Sequence, residues 1–328
     1  MGCPAGIGPE IILRYFCGSN SERPFRTVIL GDIAILEKCS AELAIPARFV
    51  TWKPGTPVPR QGIPVMVLSQ ITDHNWGHPT TESARAMVHY IQTGVRLIQE
   101  GHLNAITTCP IAKDALQQAG FQYPGHTEML VDLTKAEHYT MMMAGPSLRV
   151  TLATIHCRLA AVPEAISRTV VEDLIEITNR SLQMDFGIGK PAIGVAGLNP
   201  HAGESGIFGN EEHRHIEPAI RSAQDKGINV SGPYPPDTIF FKAAAGQFDC
   251  VVCMYHDQGL IPFKLLHFKD GVNVTLGLPI VRTSVDHGTA YDIAGKGVAA
   301  ADSLAAAVTM AHEIQMNRKV FQETSVNI

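Results

Sequence analysis

Three histidines stand where apolar, β-branched runs end. His156 closes the run Val150–Ile155, His201 follows Ile193–Pro200, and His256 closes Val251–Tyr255. In open α/β sheets, ligands bind beyond the carboxyl ends of the strands, so three imidazoles delivered there can meet in one crevice. Three neutral imidazoles make an open site for a divalent metal and leave positions for water or substrate. Asp257, beside His256, is placed to accept from a ligating imidazole and fix its tautomer. Any one of the three alone is an ordinary polar strand terminus; the repeated placement favours the metal.

A second set of residues suits anions. Gly125-His126-Thr127-Glu128 precedes the apolar run Met129–Val131 and reads as a helix N-terminus, which either binds phosphate or is plainly capped. Lys264, Asn273 and Arg282 lie in otherwise apolar or glycine-rich sequence. Arg282, within Leu278–Ser284, is costly to bury unless it meets an anion, either an internal carboxylate or a substrate phosphate. In the segment Ser284–Gly297, the His287-Gly288-Thr289 turn offers donors for phosphate, and Asp292 could accept from a ribose hydroxyl; as a bare pattern it is a loop entering a helix.

Other motifs read more plainly. Gly6-Ile7-Gly8-Pro9-Glu10 is a tight glycine turn entering a helix, but it lacks the third glycine and the preceding strand of a dinucleotide fingerprint; a packed turn and a ligand contact are equally expected. Cys250 and Cys253 fall inside a strand, where residues three apart face opposite ways, and no second pair accompanies them, so they read as core thiols. Met141-Met142-Met143 reads as core filling. His74, His78, His89, His102, His138 and His312 fall in polar loops or on helix faces and are expected in solvent. His213 and His215 belong to a charged helix start.

The elements that must position these residues follow the α/β rhythm of short apolar runs alternating with longer amphipathic ones. Strands are expected at Thr27–Gly31, Pro64–Leu68, Asn104–Thr108, Arg149–Ile155, Ala192–Ala196, Asp249–Tyr255 and Val272–Leu276. Helices are expected from Thr80 or Thr81 to about Glu100, over Ile111–Ala119 after Pro110, from Pro163 to about Met184, and over Ser303–Met316. The chain has 328 residues, which makes two domains the default, yet no linker or repeat marks a boundary. It carries 26 Lys+Arg against 31 Asp+Glu, a net charge of −5 without a basic run, so neither nucleic acid nor a membrane surface is an expected partner. No apolar stretch is long enough for a membrane helix, and the opening residues do not read as a secretory signal. Seven scattered cysteines, an odd number, read as reduced thiols in a cytoplasm.

Six ordered blocks resemble one family: Pro4–Glu10, Pro124–Glu128, Gly197–Gly203, Tyr255–Gly259, Gly271–Thr275 and Arg282–Ala290. They are similar to the 4-hydroxythreonine-4-phosphate dehydrogenases of pyridoxal phosphate biosynthesis, and the likeness runs over nearly the whole chain. The His287–Gly295 stretch also resembles the cofactor loop of isopropylmalate and isocitrate dehydrogenases. The resemblance implies a two-domain α/β fold of isocitrate/isopropylmalate dehydrogenase type, with the active-site cleft between domains. Residues 1–125 with 285–328 would form a discontinuous first domain. Residues 126–284 would form a second, carrying most metal and substrate residues and the interface of a homodimer with shared active sites. It implies metal binding by His156, His201 and His256 from both subunits, the metal being Zn or alternatively Mg, Co or Mn. Substrate would meet His126, Thr127, Lys264, Asn273 and Arg282, and NAD or NADP would meet His287, Gly288, Thr289 and Asp292. The implied reaction is NAD(P)-dependent, metal-assisted oxidation and decarboxylation of 4-phosphooxy-L-threonine to 3-amino-2-oxopropyl phosphate, with Asp237 or His126 as general base. The alternative within the family is a D-threonate or D-erythronate 4-phosphate dehydrogenase. Two departures stand out: the family carries a strand before the glycine turn, and an acidic residue where this chain has Cys3.

Overall fold

The computed structural model describes residues 1–18, 25–123 and 125–326; Pro124, which heads one of the resemblance blocks, lies outside them. Helix α1 (Gly8–Cys17) carries Pro9 in its first turn, where the missing N–H costs nothing. Strand β1 (Ile29–Gly31) feeds α2 (Ile33–Glu42) through Asp32, a fully buried N-cap whose carboxylate accepts from Ala34 and Ile35 N–H at 3.0 and 3.3 Å. Strands β2 (Phe49–Thr51) and β3 (Ile63–Val67) precede α3 (Thr81–Gln99), which Thr80 and Ser83 cap reciprocally. Then come β4 (Ala105–Thr108), α4 (Lys113–Gln118), α5 (His126–Thr134), β5 (Thr140–Ala144) and β6 (Arg149–Leu152). Helices α6 (Val162–Ala165) and α7 (Arg168–Met184) lead to β7 (Ile193–Ala196), a left-handed turn over Pro200–Gly206 and a π-helical turn over Glu212–Ile216. The chain continues through α8 (Glu217–Asp225), β8 (Val230–Tyr234), α9 (Pro236–Ala244), β9 (Cys250–Cys253), α10 (His256–Leu266), β10 (Val272–Leu276), β11 (Val281–Val285) and α11 (Asp302–Val326).

Two compact units result: Met1–Glu137 with Pro279–His312, and His138–Leu278 with Glu313–Ile328. The first holds a parallel sheet ordered β1-β3-β2, with Ile29 opposite Val65 and Phe49 opposite Ile63, and the parallel pair β4–β11, with Arg282 opposite Ile106. Its core gathers Ile11, Leu13, Leu36, Val65 and Val285. The second is ordered β10-β5-β6-β9-β7-β8, antiparallel at its β10, β5 and β6 end and parallel from β6 onward. Val150, Leu152, Val251, Ile239 and Phe263 pack there. Helix α10 lies close on this sheet because Gly259 has no side chain: a Cβ there would sit 2.8 Å from Leu152 Cδ2.

All seven expected strands occur, several trimmed by a few residues. Four more do not follow from alternation: β2, β5, β8 and β11. The run from Pro163 is two helices, not one. Ile166 turns extended (ψ 115°), and Ser167 caps α7 by accepting from Val170 N–H at 3.2 Å. The helix expected at Ile111–Ala119 starts only at Lys113, and α11 runs on past Met316 to Val326. Met142 and Met143 are core residues as expected, within β5. Cys250 and Cys253 are wholly buried, and burial raises both thiols, Cys250 to about 12, as inert core thiols require.

Candidate functional site

Unit one holds a cationic corner. Arg282, buried on β11, donates from Nη2 to Thr108 Oγ1 at 2.9 Å. Burial lowers its pKa to about 10, and the Glu128 carboxylate works against that shift, so the internal anion anticipated for Arg282 is at least partly Glu128. Helix α5 begins at His126 after Gly125, the N-cap; Thr127 therefore sits in the first turn and does not cap it. The His126 Nε2 atom is buried and has no hydrogen-bond partner among the described residues. Burial pushes this imidazole well below its ordinary pKa, and the charges of Arg282 and Lys113 push the same way. A neutral imidazole and a guanidinium around an unmatched buried nitrogen fit a phosphate or carboxylate.

The loop between β11 and α11 carries the second group. His287 Nδ1 donates to the Gly288 carbonyl at 3.1 Å, and Nε2 is buried and without a partner among the described residues. The opening glycine turn braces this loop. Ile7 N–H donates to Thr289 O at 3.1 Å, and a Cβ on Gly6 would lie 2.9 Å from that oxygen. Glu10, almost wholly buried, accepts from Ala299 N–H at 2.8 Å and Arg14 Nε at 3.0 Å. Asp292 is exposed in the same loop. Of the two readings of the Gly6–Glu10 motif, the packed turn describes these contacts.

In unit two the rings of His156 and His256 lie 6.0 Å apart, centroid to centroid. Strand β6 ends at Leu152, so His156 stands in the bends beyond it, while His256 opens α10. Asp257 Oδ1 is 2.7 Å from His256 Nδ1, the contact anticipated for it, and this occupies Nδ1. His201 lies in the left-handed turn (φ 52°), with its ring 6.1 Å from that of Phe208. Among the described residues, no group of three or more His, Cys, Asp and Glu side chains is close enough to hold a metal. The pair fits two positions on one cation; the third imidazole does not join it within one chain. Lys264 lies further along α10, Asn273 on β10 donates to Met141 Sδ at 3.2 Å, and Asp237 is exposed in the first turn of α9.

Sequence pattern did not single out Glu212 or Lys113, and it read Glu128 only as part of a helix start. Glu212, 2% exposed, accepts from Leu198 and Asn199 N–H at 2.8 Å each and from Asn199 Nδ2 at 3.0 Å, and so fixes the approach to His201. Two histidines expected in solvent are not fully solvated: His74 is half-buried against Trp76 and bonded to Lys38, and His312 stacks on Phe25 at 4.5 Å. His213 pairs with Glu217 at 2.9 Å in a charged helix start, as expected.

These features define the class: an α/β enzyme built to hold a small anionic substrate. The profile of the family described as pyridoxal phosphate biosynthetic protein PdxA matches residues 23–311. A 4-hydroxythreonine-4-phosphate dehydrogenase of Desulfosudis oleivorans is 52% identical over 95% of this chain and 93% of its own. The crystal structure of the enzyme of that name from Klebsiella pneumoniae superposes with a TM-score of 0.88 at 38% identity, over 96% of this chain and 98% of the other. A protein of Oceanobacillus iheyensis, provisionally named a D-threonate 4-phosphate dehydrogenase, is 41% identical over 96% of both chains. The chain belongs to the PdxA family and is a dehydrogenase.

Proposed function

We propose that this dehydrogenase oxidises and decarboxylates 4-phosphooxy-L-threonine to 3-amino-2-oxopropyl phosphate, using NAD or NADP and a divalent metal, with Zn as the first candidate and Mg, Co or Mn as alternatives. The observation that carries the reading is the buried corner of Arg282 and His126, which suits the phosphate of such a substrate, together with the names of relatives that match over nearly the whole chain. Arg282 and Thr127 bind the anion, and Lys264 and Asn273 supply further polar contacts; remote binding energy of this kind orients the reacting carbon. His126, held neutral by burial, and Asp237 are the candidate general bases. His287, Gly288, Thr289 and Asp292 would hold the nicotinamide cofactor, with the Gly6 turn and Glu10 keeping their loop in place. His156, His201 and His256 would hold the metal. When bound, the cation supplies Lewis acidity at the substrate oxygen, and the nicotinamide supplies the acceptor for hydride.

In this reading the chain is a homodimer in which two copies share each metal position. No described helix is long and apolar enough to cross a membrane. The test is a panel of 4-phosphooxy-L-threonine, D-threonate 4-phosphate and D-erythronate 4-phosphate, each with NAD and with NADP and a divalent metal, read as reduced cofactor and released CO₂. Equal formation of both products from the first substrate is expected. Silence with all three overturns the reading, and turnover of only the sugar-acid phosphates replaces it with the alternative substrate class.

A further inference from the structure

The β1-β3-β2 sheet of unit one has a cavity of about 780 Å³ at the amino-terminal ends of its strands. An arginine comes before each strand and lines this space: Arg26 shortly before β1, Arg48 directly before β2, and Arg60 shortly before β3. The register brings the three strand starts together, with Phe49 opposite Ile63 and Ile29 opposite Val65. The Arg60 loop is pressed against Arg48. Ile63 N–H donates to Arg48 O at 2.7 Å, and Gly62, at φ +81°, lets the chain turn where a Cβ would be 2.7 Å from Val50 Cγ2.

Among the described residues, no Asp or Glu lines the cavity, and none of the three guanidiniums makes an ion pair or hydrogen bond. Three like charges around one space repel, and they do so here in a chain whose net charge is −5. Guanidiniums match phosphate oxygens two at a time, and the charge is concentrated where a dianion could answer all three. The rest of the wall is mixed: Phe16, Phe25 and Val58 form an apolar part of it, and Cys17 and Thr27 also line the space. The volume falls in the range of small-molecule sites, roughly 300–1,000 Å³. None of these residues belongs to the candidate active site, and ligands of parallel sheets ordinarily lie at the opposite, carboxyl ends.

We propose that this cavity is a second ligand site, which binds a nucleoside phosphate: the phosphates on Arg26, Arg48 and Arg60, the base against the apolar part of the wall. Calorimetric titration of ADP into the full chain, with NAD saturating so that the cofactor position is filled, should show one saturable site. Arg48→Ala and Arg60→Ala should each weaken ADP by at least about tenfold, while Arg85→Ala, an exposed arginine elsewhere in unit one, leaves it unchanged. Dehydrogenase activity without ADP should be the same in all three variants. Pyrophosphate, which has no ring, should bind at the same arginines but more weakly than ADP. Absence of saturable binding, or ADP affinity equal in the wild type and the Arg48 and Arg60 variants, overturns the site; pyrophosphate binding as tightly as ADP overturns its nucleoside specificity.

Discussion

His126 and Arg282 show how one buried corner sets both chemistry and pH response. Burial, aided by the neighbouring Arg282 charge, holds His126 neutral in the folded chain, and burial also lowers His74. In the unfolded chain both titrate near the ordinary value of about 6.5. The unfolded state therefore binds more protons as pH falls below that value, and stability is lost toward acid and kept above it. The expected outcome is a melting midpoint that falls between about pH 7 and 5.5, with a visibly shallower slope in His126→Asn; a slope unchanged by that substitution would contradict the depressed imidazole. Residue type carried much of this corner into the sequence. An arginine amid apolar residues signals a buried cation that needs an anion. What sequence did not disclose is that Glu128 and Thr108 answer it in part, because those contacts come from the ends of separate elements.

At the scale of elements, the left-handed turn that carries His201 makes heavy demands on the backbone. His201, Ala202, Glu204 and Ser205 all have positive φ, at about 1–2 kcal/mol each for non-glycine residues, so something must hold them there. Glu212 does this from the π-helical turn, through two backbone N–H groups and Asn199. Gly203 leaves room for it: a Cβ there would lie 2.8 Å from Glu212 Oε2. Glu212→Gln keeps an oxygen for the backbone donors but turns an amide toward Asn199 Nδ2. On the metal reading, zinc affinity measured on the metal-free chain should fall about 10–100-fold, with destabilisation of about 1–3 kcal/mol. Destabilisation with unchanged zinc affinity would make Glu212 a structural residue only. The elements missed by pattern share a cause. Every residue of β11 is buried, yet three of its five are Arg, Thr and Ser, whose polar groups find partners only in the fold: Thr283 Oγ1 donates to Ala307 O at 2.8 Å and Ser284 Oγ to Thr108 O at 3.1 Å. Strand β8 contains Pro233, tolerated because β8 is the last strand of its unit's sheet. The break at Ser167 looked like one more helical residue because the apolar period runs across it.

For the whole molecule, the exposed apolar residues matter most, since a single chain's sequence does not distinguish an apolar position facing a core from one facing a second copy. Helix α10, which His256 opens, exposes Ile261 at 68% and Leu265 at 84%, one turn apart, with Phe268 just beyond at 77%. The His201 turn is followed by Ile207 at 72% and Phe208 at 48%. Both elements that carry an isolated or paired metal candidate thus present large apolar side chains to water, each contributing about 1.5–3 kcal/mol if buried. A homodimer that covers these side chains and brings His201 of one copy to the His156–His256 pair of the other accounts for both facts. Sedimentation equilibrium should give a dimer for the wild-type chain and a monomer for Leu265→Glu combined with Phe268→Glu. Circular dichroism of the double variant should be unchanged, while its zinc affinity drops, because two imidazoles hold the ion less well than three. A monomeric wild-type chain, or a monomeric variant that keeps full zinc affinity, would overturn the shared metal position.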